Sequence, residues 1–200
     1  MAKRAGKVPN HLRRRISLRV HPKDWLAKAR QLRKAANLLF IDFENERAEF
    51  AEEFEKEPDT DLPIPDDSVV TMLLGFAVEN LLKGLYVSTL EHMEDVKDLF
   101  ALNFPGQRHE LEPIAHALKP ELQIEFSQEE VDLLHALEHV VLWYGRYPSA
   151  RNIDDLIPAH ETGDFKKFMF NYPDDHFASL KLYDRLETLL QRKAHPASQL

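Results

Sequence analysis

Apolar residues recur at steps of three and four over the first quarter of the chain, which is the periodicity of an α-helix. Between Lys23 and Glu57 there is neither glycine nor proline. At a rise of ~1.5 Å per residue, one continuous helix here would be longer than about 45 Å. The apolar positions predict a packing seam of the coiled-coil type. Its members are Trp25, Ala29, Leu32, Ala36, Leu39, Phe43, Phe50 and Phe54.

An acidic, proline-rich connector, EPDTDLPIPDD over residues 57–67, cannot continue that helix. A second helix is predicted from Ser68 to about Leu90, and it is apolar nearly all round, so we expect it at the centre of a bundle. Gly75 and Gly84 lie inside it, where each lowers helix stability by ~1 kcal/mol relative to alanine. Their presence predicts close approach by a neighbouring helix.

The middle of the chain predicts shorter elements and then a well-specified helix start. The shorter elements are a surface helix over residues 91–102, a turn at 104–106 and a brief helix over 112–118. Ser127 followed three residues later by Glu130 forms a capping box. Pro148 disfavours helical geometry at the residue before it, so this helix should end near Gly145.

The last third of the chain is irregular over residues 146–172 and then helical again. The final helix is predicted over 174–193, with a stripe formed by Phe177, Leu180, Tyr183, Leu186 and Leu190. Ile16, Leu18 and Val20 alternate with polar residues and predict a short extended piece, but no strand-rich segment exists, so the fold class is all-α. We expect an up-and-down four-helix bundle with short extra helices and a long irregular segment before the last helix.

Charge divides the chain into a basic arm, residues 1–21, and a helical domain, residues 22–200. Residues 1–34 hold 12 Lys and Arg and one acid (+11), and the rest holds 14 bases and 33 acids (−19), which sums to −8. The arm can contact nucleic acid phosphates, or it can lie against the acidic surface of its own chain or of a twin subunit. Candidate phosphate contacts are Arg13, Arg14, Arg15 and Arg19.

Composition bears on location and on metal chemistry. There is no cysteine and no apolar signal segment, so we expect a cytoplasmic protein. The longest apolar run, residues 69–87, contains Glu79, Asn80 and Lys83, which a membrane span would rarely carry. No membrane association and no cofactor is expected.

Two pairs of polar residues on predicted helices are candidate sites. Glu79 and Lys83 are four residues apart on one helix. They either form an ion pair at the helix edge, or they are charges on an apolar helix that need a specific partner. His135 and His139 flank Glu138 in a His-x-x-Glu-His string, the pattern of inverted zinc peptidases. Two histidines supply only two ligands and a catalytic zinc needs a third, so we expect no metal site.

Four segments together resemble the HEPN superfamily, over roughly residues 22–193. They are WLAKARQLRKAANLL (25–39), GFAVENLLKGLY (75–86), HELEPIAHAL (109–118) and LHALEHVVLWYGRYP (134–148). The resemblance implies a helical bundle that often dimerises and is often encoded beside a partner protein. A homodimer is therefore expected, and a long first helix with uncovered apolar surface agrees with that.

Many HEPN proteins are metal-independent ribonucleases marked by an arginine, four to six residues, and a histidine. The late arginine here is Arg146, but the positions five to seven residues on are Arg151, Asn152 and Ile153. Asparagine can donate a hydrogen bond but cannot carry a proton at neutral pH. The function expected is therefore a non-catalytic HEPN-like protein that binds RNA, a nucleotide or a protein partner in a toxin or defence-type context.

The ligand contacts expected for such a protein are Glu79, Lys83, Tyr147 and Asn152. The alternative is a metal-independent endoribonuclease with a rearranged site, in which Arg146 works with His139 or His135. As a fixed five-donor group at a helix end, Arg146 has two expected uses. It can clamp an internal carboxylate, Glu79 first, or receive a phosphate or carboxylate from a ligand.

Overall fold

The computed structural model describes residues 21–58, 61–90, 104–106, 109–141 and 170–194. These residues contain five helices and no strand. The fold class predicted from the sequence, an all-α helical bundle, is confirmed. The helices are α1 (Pro22–Lys56), α2 (Ser68–Thr89), α3 (Glu112–Leu122), α4 (Gln128–His139) and α5 (Asp174–Ala194).

Helix α2 is the centre of the bundle and packs against each of the other four helices. Thirteen of its 22 residues are buried, because its apolar residues cover the whole circumference. Its length and composition would also allow it to cross a membrane, although 67% of its most apolar 18-residue stretch is buried inside the protein. A core helix of a soluble protein passes the same test, so this finding is weak evidence of a span.

The two glycines of α2 mark close helix crossings, as predicted. A Cβ built on Gly75 would lie 2.6 Å from Cγ2 of Val141. A Cβ on Gly84 would lie 2.9 Å from the Cβ of Trp25 and 2.7 Å from Cδ2 of Leu190. Glycine is needed here because any side chain would push α1, α4 or α5 away from α2.

Helix α1 is confirmed as one continuous helix of 35 residues, ~52 Å long, but its predicted seam is only partly buried. Leu39 is 39% exposed and Phe54 is 49% exposed, so the seam has uncovered apolar surface at these two positions, as expected for so long a helix. None of residues 44–56, here named the α1 extension, is buried. The physical reason is length, because α2 and α5 have only 22 and 21 residues and do not cover the whole of α1. The buried residues of α1 are Leu26, Ala29, Ala36 and Phe43.

The start of α4 is held by the predicted capping box. The Ser127 hydroxyl accepts from the backbone N–H of Glu130 at 3.2 Å, and the Glu130 carboxylate accepts from the N–H of Ser127 at 3.0 Å. Arg185 on α5 donates to the same carboxylate at 2.9 Å, so the cap also joins two helices. After His139 the backbone continues as a π-type turn at residues 140–141.

Two other elements differ in detail from the sequence predictions. Helix α3 runs to Leu122, past the predicted end, although Pro120 lies inside it and has no backbone N–H to donate to the carbonyl four residues earlier. In the first turn of α5 His176 is buried, whereas the predicted Phe177 is 50% exposed. The expected surface helix over residues 91–102, the helix end near Gly145 and the irregular segment up to residue 169 lie outside the described residues.

Candidate functional site

A carboxylate is buried in the middle of the apolar helix α2. Glu79 is 4% exposed, and the ammonium of Lys83, one turn later, donates to its Oε1. The side chain of Lys83 is only 14% exposed, so this is an interior ion pair and not a pair at the helix edge. Burial of both charges is tolerated because each has a partner.

A third residue joins the pair from outside the helix. Nδ1 of His109 lies 3.0 Å from Oε2 and 3.2 Å from Oε1 of Glu79. The chain reaches this position through the turn at residues 104–106, where Gly106 has a φ of +81°. This positive φ explains the need for glycine, and a Cβ there would also lie 3.0 Å from the Cβ atoms of Glu110 and Pro113. The sequence had predicted this turn.

Aromatic rings cover the cluster formed by Glu79, Lys83 and His109. Phe76 meets the imidazole edge-on at a centroid distance of 5.6 Å. The ammonium of Lys83 lies 5.1 Å from the ring centroid of Phe104, a cation–π contact. Trp25 of α1 packs edge-on against the same ring at 5.6 Å. The polar cluster is therefore enclosed between α1, α2 and the turn before α3.

The contact with Glu79 determines which nitrogen of His109 is available. A carboxylate accepts a hydrogen bond, so Nδ1 carries the proton in the neutral ring and Nε2 carries the lone pair. Within the described ranges, the hydrogen bonds of His109 are made through Nδ1. The side chain is 25% exposed. This arrangement can orient an imidazole as a proton acceptor, or it can simply neutralise a buried carboxylate.

A second group of polar residues lies between α3 and α4. Nε2 of His135 is 2.9 Å from Oε2 of Glu112, and Nε2 of His116 is 3.2 Å from Oε1 of the same carboxylate. The Glu138 carboxylate accepts from the backbone N–H of Leu111 at 3.1 Å and so caps the start of α3. Burial raises the pKa of Glu138, although that hydrogen bond acts in the opposite direction.

The zinc-peptidase string is therefore used for helix packing. His135 pairs with a glutamate of α3, and Glu138 caps that same helix. His139, the other histidine of the string, lies on α4 and is half-buried. No group of three potential metal ligands is found among the residues that the structure describes.

The structure brings together Glu79 and Lys83, as predicted, and adds His109, which the sequence analysis did not single out. Thirty residues separate His109 from Glu79, so helix periodicity cannot connect them. The available signal was the buried acid itself, which needs donors. Glu79 has two such donors without Arg146, and the predicted clamp by Arg146 stays a prediction.

Several predicted site residues lie outside the described part of the chain. They are Arg13, Arg14, Arg15, Arg19, Arg146, Tyr147 and Asn152. Trp143 and Tyr144, which precede Arg146 in the sequence, are also outside it.

The far side of the bundle has a separate aromatic cluster, where the segment before α5 crosses α1. The hydroxyl of Tyr172 donates to the carboxylate of Glu44, and this hydrogen bond lowers the pKa of Glu44. Arg47 lies 4.5 Å from the centroid of the Tyr172 ring. Phe43 meets that ring edge-on at 5.2 Å.

Comparison of the chain with protein-family models, with curated proteins and with solved structures gives no match.

Proposed function

We propose that this chain is a non-catalytic, HEPN-like helical module that binds a protein partner through the α1 extension, in a toxin or defence-type context. The observation that carries the proposal is the continuation of the apolar stripe of α1 beyond the helices that cover it. Phe50 and Phe54 stack on one another with ring centroids 6.0 Å apart, and Phe54 is 49% exposed.

Exposed apolar surface of this kind is typical of an interaction site. Leu39 lies on the same side of α1 as Phe50 and Phe54. Ile64, in the acidic connector between α1 and α2, is 81% exposed. Fully burying one phenylalanine side chain contributes about 1.5–3 kcal/mol, so a partner that covers both rings would gain a useful part of its affinity from them.

The charge of this region favours a protein over RNA as its partner. Residues 44–67 contain eleven acids and two bases, a formal charge of −9. Such a surface repels phosphates, whereas it attracts a basic polypeptide. RNA contact through the arm at Arg13, Arg14, Arg15 and Arg19 is a separate hypothesis that this region does not support.

The partner proposed for this surface is a second copy of the chain. Multi-angle light scattering from low to tens of micromolar should show association of the wild type and its loss in Phe50→Ser/Phe54→Ser. The control is Leu38→Ser, because Leu38 is also exposed but lies ~160° around the helix from Phe54. A wild type that stays monomeric, or a Leu38 variant that dissociates equally, would contradict the proposal.

A second candidate function rests on the contact between Glu79 and His109. A metal-independent ribonuclease needs a proton acceptor, and a carboxylate on Nδ1 orients Nε2 for that role. In this candidate Arg146 would stabilise charge on the phosphodiester, as the resemblance implies for HEPN ribonucleases.

The test of the second candidate is cleavage of single-stranded RNA in the presence of a chelator. Loss of general acid–base catalysis in His109→Gln should slow cleavage by about 10²–10⁴-fold. The matched control is His116→Gln, since His116 also pairs with a glutamate but is exposed on α3. No cleavage by the wild type, or equal rates in the three proteins, would reject this candidate.

A further inference from the structure

We propose that the α1 extension receives residues 1–20 of the basic arm from a second copy of the chain. This inference rests on the proposed function and specifies its partner. Two copies paired in this way would each donate an arm and each receive one, which closes a two-fold symmetric dimer.

The arm and the region of the α1 extension match in both charge and apolar character. The arm contains seven Lys and Arg and no acid, a formal charge of +7, against −9 for residues 44–67. Ile16, Leu18 and Val20 alternate with polar residues directly after the arginines at 13–15. An extended segment with this pattern presents apolar side chains on one side. Those side chains fit the pair formed by Phe50 and Phe54, and the arginines fit the surrounding glutamates.

The length of α1 excludes contact between the apolar residues of the arm, Ile16, Leu18 and Val20, and Phe50 of the same copy. Arg13 is nine residues before Pro22, so even a fully extended chain places it at most ~32 Å from the start of α1. Ile16, six residues before Pro22, reaches at most ~22 Å. Phe50 lies 28 residues into a continuous helix, ~42 Å from Pro22.

The segment that matches the α1 extension therefore cannot reach Phe50 of its own chain. A second copy with its α1 antiparallel to the first has no such restriction, because the start of one helix then lies beside the end of the other. This geometry selects the arm of the second copy over the arm of the same chain.

Charge reversal with rescue tests the contact in the full-length protein. Arg13→Glu/Arg14→Glu/Arg15→Glu should weaken association about tenfold or more, and Glu49→Lys/Glu52→Lys/Glu53→Lys should do the same. The variant that carries both sets should associate again, because the complementary charges have exchanged places. Circular dichroism of each variant establishes that the helices are retained.

The matched control changes the same charge elsewhere on the surface. Glu121→Lys/Glu125→Lys/Glu129→Lys alters three exposed glutamates in the region where α3 ends and α4 begins. This control should associate like the wild type and should not rescue the arm variant. Rescue by the control would mean that only net charge matters, and it would overturn the proposal.

Cross-linking then distinguishes the two copies. A photoreactive phenylalanine analogue at position 54 in isotopically heavy protein, mixed with light protein, should form links to residues 12–20 of the light copy. Links confined to one copy, or to residues outside the arm, would overturn the proposal.

The two proposals fail in different ways. Dissociation by Phe50→Ser/Phe54→Ser, with no effect of the arm variant on association, would retain the interaction surface and reject the arm as its occupant. An arm variant that loses only RNA binding, with association unchanged, would reject the occupant as well. A wild type that remains monomeric throughout would reject both proposals.

Discussion

Replacing Glu79 by leucine should destabilise the protein strongly, because it leaves Lys83 inside the bundle without its carboxylate. The side chain of Lys83 is 14% exposed. Removing one member of a buried ion pair typically costs about 3–5 kcal/mol. The cation–π contact between the Phe104 ring and the ammonium of Lys83 offsets part of this loss of stability. We therefore expect a loss of about 3 kcal/mol.

A double-mutant cycle separates pairing from packing. Lys83→Met alone should cost less, since His109 still donates to Glu79. The variant Glu79→Leu/Lys83→Met should be within about 1 kcal/mol of the wild type, because apolar replacement of a whole buried pair is often neutral or stabilising. The coupling energy between the two positions should then be about 2 kcal/mol or more, a value found for residues in direct contact.

Urea unfolding followed by far-UV circular dichroism, extrapolated to water, measures these free energies. The control is Glu187→Ala, which breaks the ion pair with Arg30 at 2.6 Å. The Arg30 side chain in that pair is 50% exposed, so the loss should be below about 1 kcal/mol. If Glu79→Leu costs no more than this control, or if the double variant loses the sum of the two single losses, the buried-pair argument is wrong.

Three further predictions concern packing, pH and the arm. Gly84→Ala should lower the unfolding free energy by about 1–2 kcal/mol, because its Cβ would lie 2.9 Å from that of Trp25; a higher thermal midpoint would contradict this. His176 is buried, and burial followed by the charge of Arg33 lowers its pKa. The unfolded state therefore binds the proton first as pH falls below ~7, and stability decreases by at most about 1.4 kcal/mol per pH unit for this group. His176→Phe should make the denaturation midpoint less dependent on pH between 8 and 6, and an unchanged dependence would refute the assignment. Deleting residues 1–15 should leave the thermal midpoint nearly unchanged at concentrations below association, whereas loss of cooperative unfolding would show that the arm is an integral packed element.

Local features of the fold could be predicted because their causes lie close together in the sequence. The capping box needs only Ser127 and Glu130, three residues apart. The length of α1 follows from the absence of glycine and proline, and the central position of α2 follows from its apolar circumference. Gly75 and Gly84 indicated helix crossings because nothing else justifies glycine inside such a helix.

The candidate site was predicted only in part. Glu79 and Lys83 share one helix, so their spacing indicated the pair. Whether that pair lay at an edge or in the interior depended on α1 and on the turn before α3, which periodicity does not position. His109 joins Glu79 across 30 residues, and such a contact exists only after the turn at 104–106 has placed the imidazole.

The end of α1 shows most clearly which features follow from the sequence alone and which depend on the tertiary structure. The repeat of apolar residues up to Phe54 is a property of the sequence, and it correctly predicted a single long helix. Which of those residues are buried depends on where the covering helices stop, so Phe43 is buried and Phe54 is exposed. On α5 the same dependence buries His176 in place of Phe177, because the surrounding helices and not the apolar pattern select the inward face. Periodicity along one helix thus determines the helix, while burial is determined by the lengths and positions of its neighbours.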